Sequence, residues 1–231
     1  QKVKPSLIEK RIKEIKKKGG IAAGSVTPQK AIEYGTIAEK AGADVIVVQA
    51  TVVSTTHKSK NWKPLDLSKF CKTVKIPVIV GNCVTYEVAY DLMKTGVAAV
   101  LVGIGPGAAC TSRGVLGIGI PMATAIADCS AARDDYYKKT KKYVSIIADG
   151  GMVVGGDICK AIACGADLVM IGSPLAKAKE APGRGFHWGM ATPNAILPRG
   201  TRIKVGTIGT LKEILHGPAK FDDGSENFIG A

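Results

Sequence analysis

Short, nearly continuous apolar runs alternate along this chain with longer stretches of helical period. The runs fall at 21–26, 44–50, 77–81, 98–103, 144–148 and 168–172. With so little polar alternation, they read as strands buried on both faces. Between and after them, 28–41, 66–74, 85–95, 121–138, 155–164 and 174–179 read as helices. Gly42, Gly96 and Gly165 each stand where a helix ends and the next strand is about to begin. That is C-cap chemistry repeated at the crossovers.

An open doubly wound sheet and a (β/α)8 TIM barrel both satisfy this alternation. Open sheets gather their glycine-rich phosphate loop near the first strand. Here glycines follow several strands late in the chain, which favours the barrel and its late phosphate site. The reading is therefore an α/β chain covering about six of the eight βα units, entering at about the third. Residues 1–231 form one partial barrel domain. Within it, 180–231 is a flap-like segment of loops with one short helix near 210–215.

Composition narrows the class. With 231 residues and 46% of them hydrophobic, the chain can bury a sizeable core. It shows no signal-peptide pattern and no apolar run near the roughly 18 residues of a membrane span, so a cytoplasmic setting is expected. The six cysteines include no CxxC pair, which argues for reduced thiols over disulfides or zinc. The net charge of +13 is concentrated in Lys10–Lys18, whose lysines surround an apolar stripe of Leu7, Ile8, Ile12 and Ile15. At 5% aromatic residues the chain lacks the stacking surfaces of a nucleic-acid binder. A positive field would instead draw in phosphorylated small molecules.

Three strand-end loops could carry chemistry. In 147–151, Asp149 ends a strand before Gly150 and Gly151; in 168–173 a strand runs into Gly172 and Ser173. Backbone N–H groups in such turns cradle anions, and Ser173 adds a hydroxyl. An acid beside an anion cradle suits a ribose diol, so Asp149 with these turns suggests a nucleoside monophosphate. Glycines there also serve plain tight turns; two consecutive strand-end loops favour the cradle. The third loop, VGIGPGAACTSR at 102–113, holds Cys110. It lacks the lysine of a P-loop, and the third glycine of a dinucleotide fingerprint is replaced by Cys110. Cys110 is either a small packing residue or a nucleophile, and the loop's carbonyls could ligate a monovalent cation. Among the remaining cysteines only Cys83 shares a strand end; the three histidines carry no pattern.

These segments together resemble the IMP dehydrogenase/GMP reductase family, and the short-flap IMP dehydrogenase-related branch in particular. VGIGPGAACTSR is similar to its cysteine loop, and IADGGMVVGGDICKAIACGADLVMIGSPLA to its phosphate and ribose segment. IPVIVGNCVT, EAPG and the stretch from Gly183 to Leu215 are further matches. The resemblance implies a TIM barrel, commonly a homotetramer, that oxidises IMP to XMP with NAD. Cys110 would attack C2 of the base, with Ser112 beside it, and water would release the thioimidate. Asp149 would hold the ribose, and Gly150, Gly151, Gly172 and Ser173 the phosphate. Met190 would touch the base, and Asn82 would support the cysteine loop. Gln49, Gly103 and Gly105 fall on the cofactor side, and carbonyls of Gly105, Gly107 and Cys110 would bind K+. The chain departs from the family's usual pattern in having Gln49 for an aspartate, Ser112 for a threonine, and little room between Met190 and Pro198 for the water-activating flap. Arg199 stands where a Glu or Gln is usual. The first barrel strands are absent from this sequence. Two other functions fit the same residues: NADPH-dependent GMP reduction, and a purine-nucleotide-binding regulator or scaffold with little turnover.

Overall fold

The structure, a computed structural model, describes residues 3–60, 63–189 and 200–217. It holds two compact units, Gln1–Val102 with Asp128–Ile146, and Gly103–Ala127 with Ile147–Ala231.

In the first unit, β1 (Ala23–Val26), β2 (Val45–Gln49), β3 (Val78–Cys83) and β4 (Ala99–Val102) pair side by side in sequence order. Each is parallel to its neighbour, and the register aligns Val26, Val48, Val80 and Val100 in one row. All four valines are buried, and so is Val47 on the opposite face. Burial on both sides of β2, β3 and β4 explains why those runs lack alternation, whereas β1 is buried only at Val26. Helix α1 (Pro5–Lys17) precedes β1, and α2 (Ala31–Lys40), α3 (Leu67–Thr73) and α4 (Tyr86–Met93) make the crossovers. Asp66 caps α3 by accepting from the Lys69 N–H at 2.9 Å, and Thr85 caps α4 through the Val88 N–H. The expected helix-ending glycines Gly42 and Gly96 both have positive φ.

The chain passes between the units through α6 (Met122–Thr140) and β5 (Ser145–Asp149). In the second unit, β5 pairs in parallel with β6 (Leu168–Met170) across α7 (Gly155–Ala163). The strand order β1 to β6 follows the sequence, as in successive βα units of a (β/α)8 fold.

Two expectations need correction. The segment after residue 180 is not only loops with one helix. Phe186–Trp188 (β7) and Arg202–Lys204 (β8) form an antiparallel ribbon. Three-residue strands flanked by glycine and proline carry too short an alternation to be legible. The cysteine loop is also not all loop: Ser112–Leu116 form a short helix (α5) that Gly117 ends in the left-handed region. A four-residue α8 (Ser173–Ala176) and α9 (Leu211–His216) complete this unit. Thr210 and Glu213 cap α9 reciprocally, which fixes the helix that the sequence anticipated there.

Gly81 shows how tightly the first unit is built. A β-carbon there would sit 2.5 Å from Cβ and 2.6 Å from the carbonyl oxygen of Leu101, against 3.3 Å to Ala38 Cβ for one on Gly24. We expect Gly81→Ala to lower unfolding stability by about 2 kcal/mol or more, the scale of overpacking, and Gly24→Ala to cost much less. Urea unfolding of the two variants checks this order.

Candidate active site

The second unit brings the three strand-end loops together. The excursion carrying Cys110 begins at Gly103, which is buried; a β-carbon there would run into the carbonyl oxygen of Asp149. At Gly105 (φ +74°) the stem of Arg113 lies so close that a β-carbon would be 2.9 Å from its Cγ. The Arg113 Nε donates to the Ile104 carbonyl at 3.2 Å and a terminal nitrogen donates to that of Ile120 at 2.7 Å. One guanidinium thus staples both ends of the excursion, a use of its fixed fork of donors. Between the staples, the Cys110 N–H donates to the Gly107 carbonyl at 2.9 Å. The sulfur lies over Gly107, 3.3 Å from where its β-carbon would be. Ala109 and Ser112 are buried while Cys110 is exposed. The loop is therefore anchored on either side of a thiol that faces outward.

The Asp149 turn lies directly against this loop. Gly150 (φ +90°) and Gly151 (φ +80°) both take the left-handed conformation. A β-carbon on Gly150 would come within 2.9 Å of Pro106 Cγ and 3.1 Å of the Gly107 nitrogen. Beyond the turn, Asp157 Oδ2 accepts from the N–H groups of Val153 and Val154 at 2.9 and 3.2 Å. This is the carboxylate half of a capping box; Val154 has no hydroxyl to complete it. The Lys160 ammonium, 2.8 Å away, and these two N–H groups hold the Asp157 carboxyl down to about 2. The start of α7 is thus already occupied by a carboxylate of the chain itself.

The third segment closes the series. Gly172 is exposed and Ser173 half-buried at the start of α8. A β-carbon on Gly172 would lie 3.6 Å from both Cε1 and Nε2 of His187, in β7. At the end of the same ribbon, a β-carbon on Gly189 would lie 2.7 Å from the carbonyl oxygen of Ala109, next to Cys110. Contacts therefore run from Gly172 through His187 and Gly189 to the cysteine loop, and from that loop to the Asp149 turn. His187 and Arg113 are the residues that sequence reasoning missed. Nothing in a lone histidine between Phe and Trp signals its partner; the arginine reads from the sequence as a cation near the thiol, whereas its guanidinium donates to the Ile104 and Ile120 carbonyls. Met190 and Arg199 lie outside the described residues.

In the first unit, Gln49 ends β2 and Asn82 stands next to last in the neighbouring β3, both buried, and the Gln49 Nε2 donates to Asn82 Oδ1 at 3.1 Å. A pocket opens beyond β1 and β2, walled by Val48, Val53 and Leu67 and edged by Gln29, His57 and Lys63. Cys83, expected at a strand rim, is instead buried with Cys129; the hydrogen bond between them and burial push its thiol up. Among the described residues, no group of three or more His, Cys, Asp or Glu side chains could hold a metal, and no helix is long and apolar enough to cross a membrane.

The family model for the IMP dehydrogenase / GMP reductase domain matches residues 1–192. The chain belongs to this family. An uncharacterized oxidoreductase of Mycobacterium leprae is 40% identical over 230 residues, covering 98% of this chain and 61% of that protein. The inosine-5'-monophosphate dehydrogenase of Thermoplasma acidophilum is 42% identical over 165 residues, 71% of this chain and 31% of that enzyme. A crystal structure of an IMP dehydrogenase/GMP reductase-like protein from Corynebacterium glutamicum superposes with a TM-score of 0.85 at 41% identity. It is covered to 60% by 99% of this chain. The chain thus spans about three fifths of the length of the relatives it matches over nearly its whole extent.

The Asp157 cap gives a signed expectation. Its carboxyl is lower in the folded protein than its usual value of 3.8, so its stabilisation is complete above that value and fades as pH falls toward about 2. Asp157→Asn should cost on the order of 1 kcal/mol at neutral pH, the scale of a capping interaction, with the gap to wild type closing between those limits. Denaturant unfolding of both proteins across that range measures it.

Proposed function

We propose that this chain carries the reaction centre of an NAD-dependent oxidoreductase that converts IMP to XMP. The observation that carries this reading is the exposed Cys110 thiol on a loop packed against the Asp149–Gly150–Gly151 turn. That arrangement suits a nucleophile beside a bound mononucleotide. Cys110 adds to C2 of the base, the C2 hydrogen leaves with its electron pair, and water then releases the thioimidate as XMP. NAD supplies the hydride acceptor. Asp149 accepts from the ribose hydroxyls; Gly150, Gly151, Gly172 and Ser173 hold the phosphate; Met190 touches the base. Ser112 keeps a hydroxyl beneath the loop, two residues from the nucleophile. Gly103 and Gly105 serve the cofactor. A monovalent cation, K+, fits the neutral carbonyl oxygens of Gly105, Gly107 and Cys110 by donor type. Gly107 uses one of its two lone pairs for the Cys110 N–H and keeps the other. The whole protein would be a cytoplasmic homotetramer.

A second reading is NADPH-dependent reduction of GMP through the same cysteine.

Absorbance of the reduced cofactor separates the readings, with IMP and NAD in one assay and GMP and NADPH in another. We expect turnover in the first. Turnover in the second alone would replace it, and none in either, with nucleotide still bound, would leave a binding protein. Cys110→Ser should abolish hydride transfer while IMP affinity stays within about threefold. Retained turnover would remove Cys110 from the mechanism.

A further inference from the structure

Aromatic residues are few along this chain, yet the fold gathers five of its six tyrosines around α4 and the end of α6. Tyr86 and Tyr90 stack with ring centroids 5.9 Å apart, and Tyr136 meets Tyr90 edge-on at 5.8 Å. Tyr136 is buried, which roots the end of α6 against α4. Tyr137 and Tyr143 form a second pair, with centroids 5.8 Å apart and rings at 75°. These two residues are 45% and 53% exposed. The run between them reads Lys138-Lys139-Thr140-Lys141-Lys142, and all of it is exposed.

Charge around these rings does not balance. Asp91, Asp134 and Asp135 are each in an ion pair, with Lys94 at 2.7 Å, Arg133 at 2.9 Å and Lys138 at 3.2 Å. Glu87 follows Tyr86 on α4, and the stretch 136–143 carries no carboxylate. Among the described residues, Lys139, Lys141 and Lys142 are in no ion pair. Two of these ammoniums lie over rings instead, Lys139 over Tyr90 at 5.3 Å and Lys141 over Tyr137 at 6.0 Å. Such contacts are weak at an exposed surface, so an incoming anion draws the ammonium away and frees the ring.

We propose that the turn from Tyr137 to Tyr143 is a docking surface for single-stranded nucleic acid. The uncompensated lysines take phosphates, and the two exposed tyrosines take bases. Rings set so steeply to one another accept two bases only if the bases turn apart, which an unpaired strand can do and a duplex cannot. A lipid surface would use the lysines, but no aliphatic hydrophobic side chain stands among residues 133–143 to enter it. An acidic peptide would use the lysines and leave the rings idle. None of these residues belongs to the candidate active site, so the proposal stands apart from the IMP reading.

The test is fluorescence anisotropy of a labelled oligothymidylate of about 15 nucleotides, alone and as its duplex with oligoadenylate, titrated with the whole protein. The single strand should bind about tenfold more tightly than the duplex. Tyr137→Leu with Tyr143→Leu should weaken the single strand about tenfold, the scale of one lost base stack, and Tyr137→Phe with Tyr143→Phe should restore it. Lys139→Gln, Lys141→Gln and Lys142→Gln together should flatten the fall of log affinity with log salt by about 2, at roughly 0.7 for each phosphate contact. Lys10→Gln, Lys13→Gln and Lys17→Gln, which remove the same charge from α1, should change it far less. A duplex bound as tightly as the single strand, or equal losses from the two lysine sets, would overturn the proposal and leave only the general positive charge. Displacement of the strand by polyglutamate or phosphatidylserine vesicles, with the leucine variants behaving as wild type, would overturn it in favour of an acidic peptide or a membrane.

Discussion

Close packing of two loops that have no room for side chains is the constraint on which the candidate site depends. The excursion from Gly103 to Cys110 lies so near the turn after Asp149 that neither Gly103 nor Gly150 can carry a β-carbon without colliding with the other segment. Backbone is then in contact with backbone, and the spacing between thiol and carboxylate is set by peptide geometry and not by flexible side chains. Close packing of this kind transmits small displacements without absorbing them. The Arg113 staple serves the same end from the other side by fixing where the excursion leaves and returns.

Electrostatics at the site is distributed differently from what the sequence suggests. Two glycine turns ahead of helices invite the reading that both helices lend their N-terminal N–H groups to an anion. One of those helices satisfies its own start with Asp157, and the other is a single turn. On the proposed reading, the backbone of the glycine turns and the Ser173 hydroxyl would meet the phosphate.

Much of this was legible beforehand, for physical reasons that differ by element. Strands β2 to β5 declared themselves because burial on both faces demands unbroken apolar runs, β1 and β6 by their place in the alternation with helices, and Gly42, Gly96 and Gly165 marked helix ends because only glycine takes that conformation cheaply. Cys110, Asp149 and the paired glycines stood out because their types and order are specific. The ribbon of Phe186–Trp188 with Arg202–Lys204 did not, since its pairing joins residues 14 or more apart through strands too short to show a period. His187 was invisible for the same reason: its meaning lies in a contact with Gly172, which no local pattern encodes. Cys83 was misjudged because strand-end position was weighed without the helix that buries it, whose Cys129 comes from far along the chain.

The contrast among the thiols has a pharmacological consequence. Cys83 and Cys129 are enclosed, whereas Cys110 and Cys159 face solvent. A simple alkylating reagent would therefore meet two exposed targets, one on the stapled loop and one on α7, besides the partly exposed Cys71 and Cys164. On the proposed reading, an electrophile tethered to a nucleotide-like scaffold would choose between them by shape, because Cys110, unlike Cys159, stands on the loop packed against the Gly150–Gly151 turn. Selectivity of a covalent inhibitor for this protein would then be decided by reversible docking, with bond formation as the slower, later event.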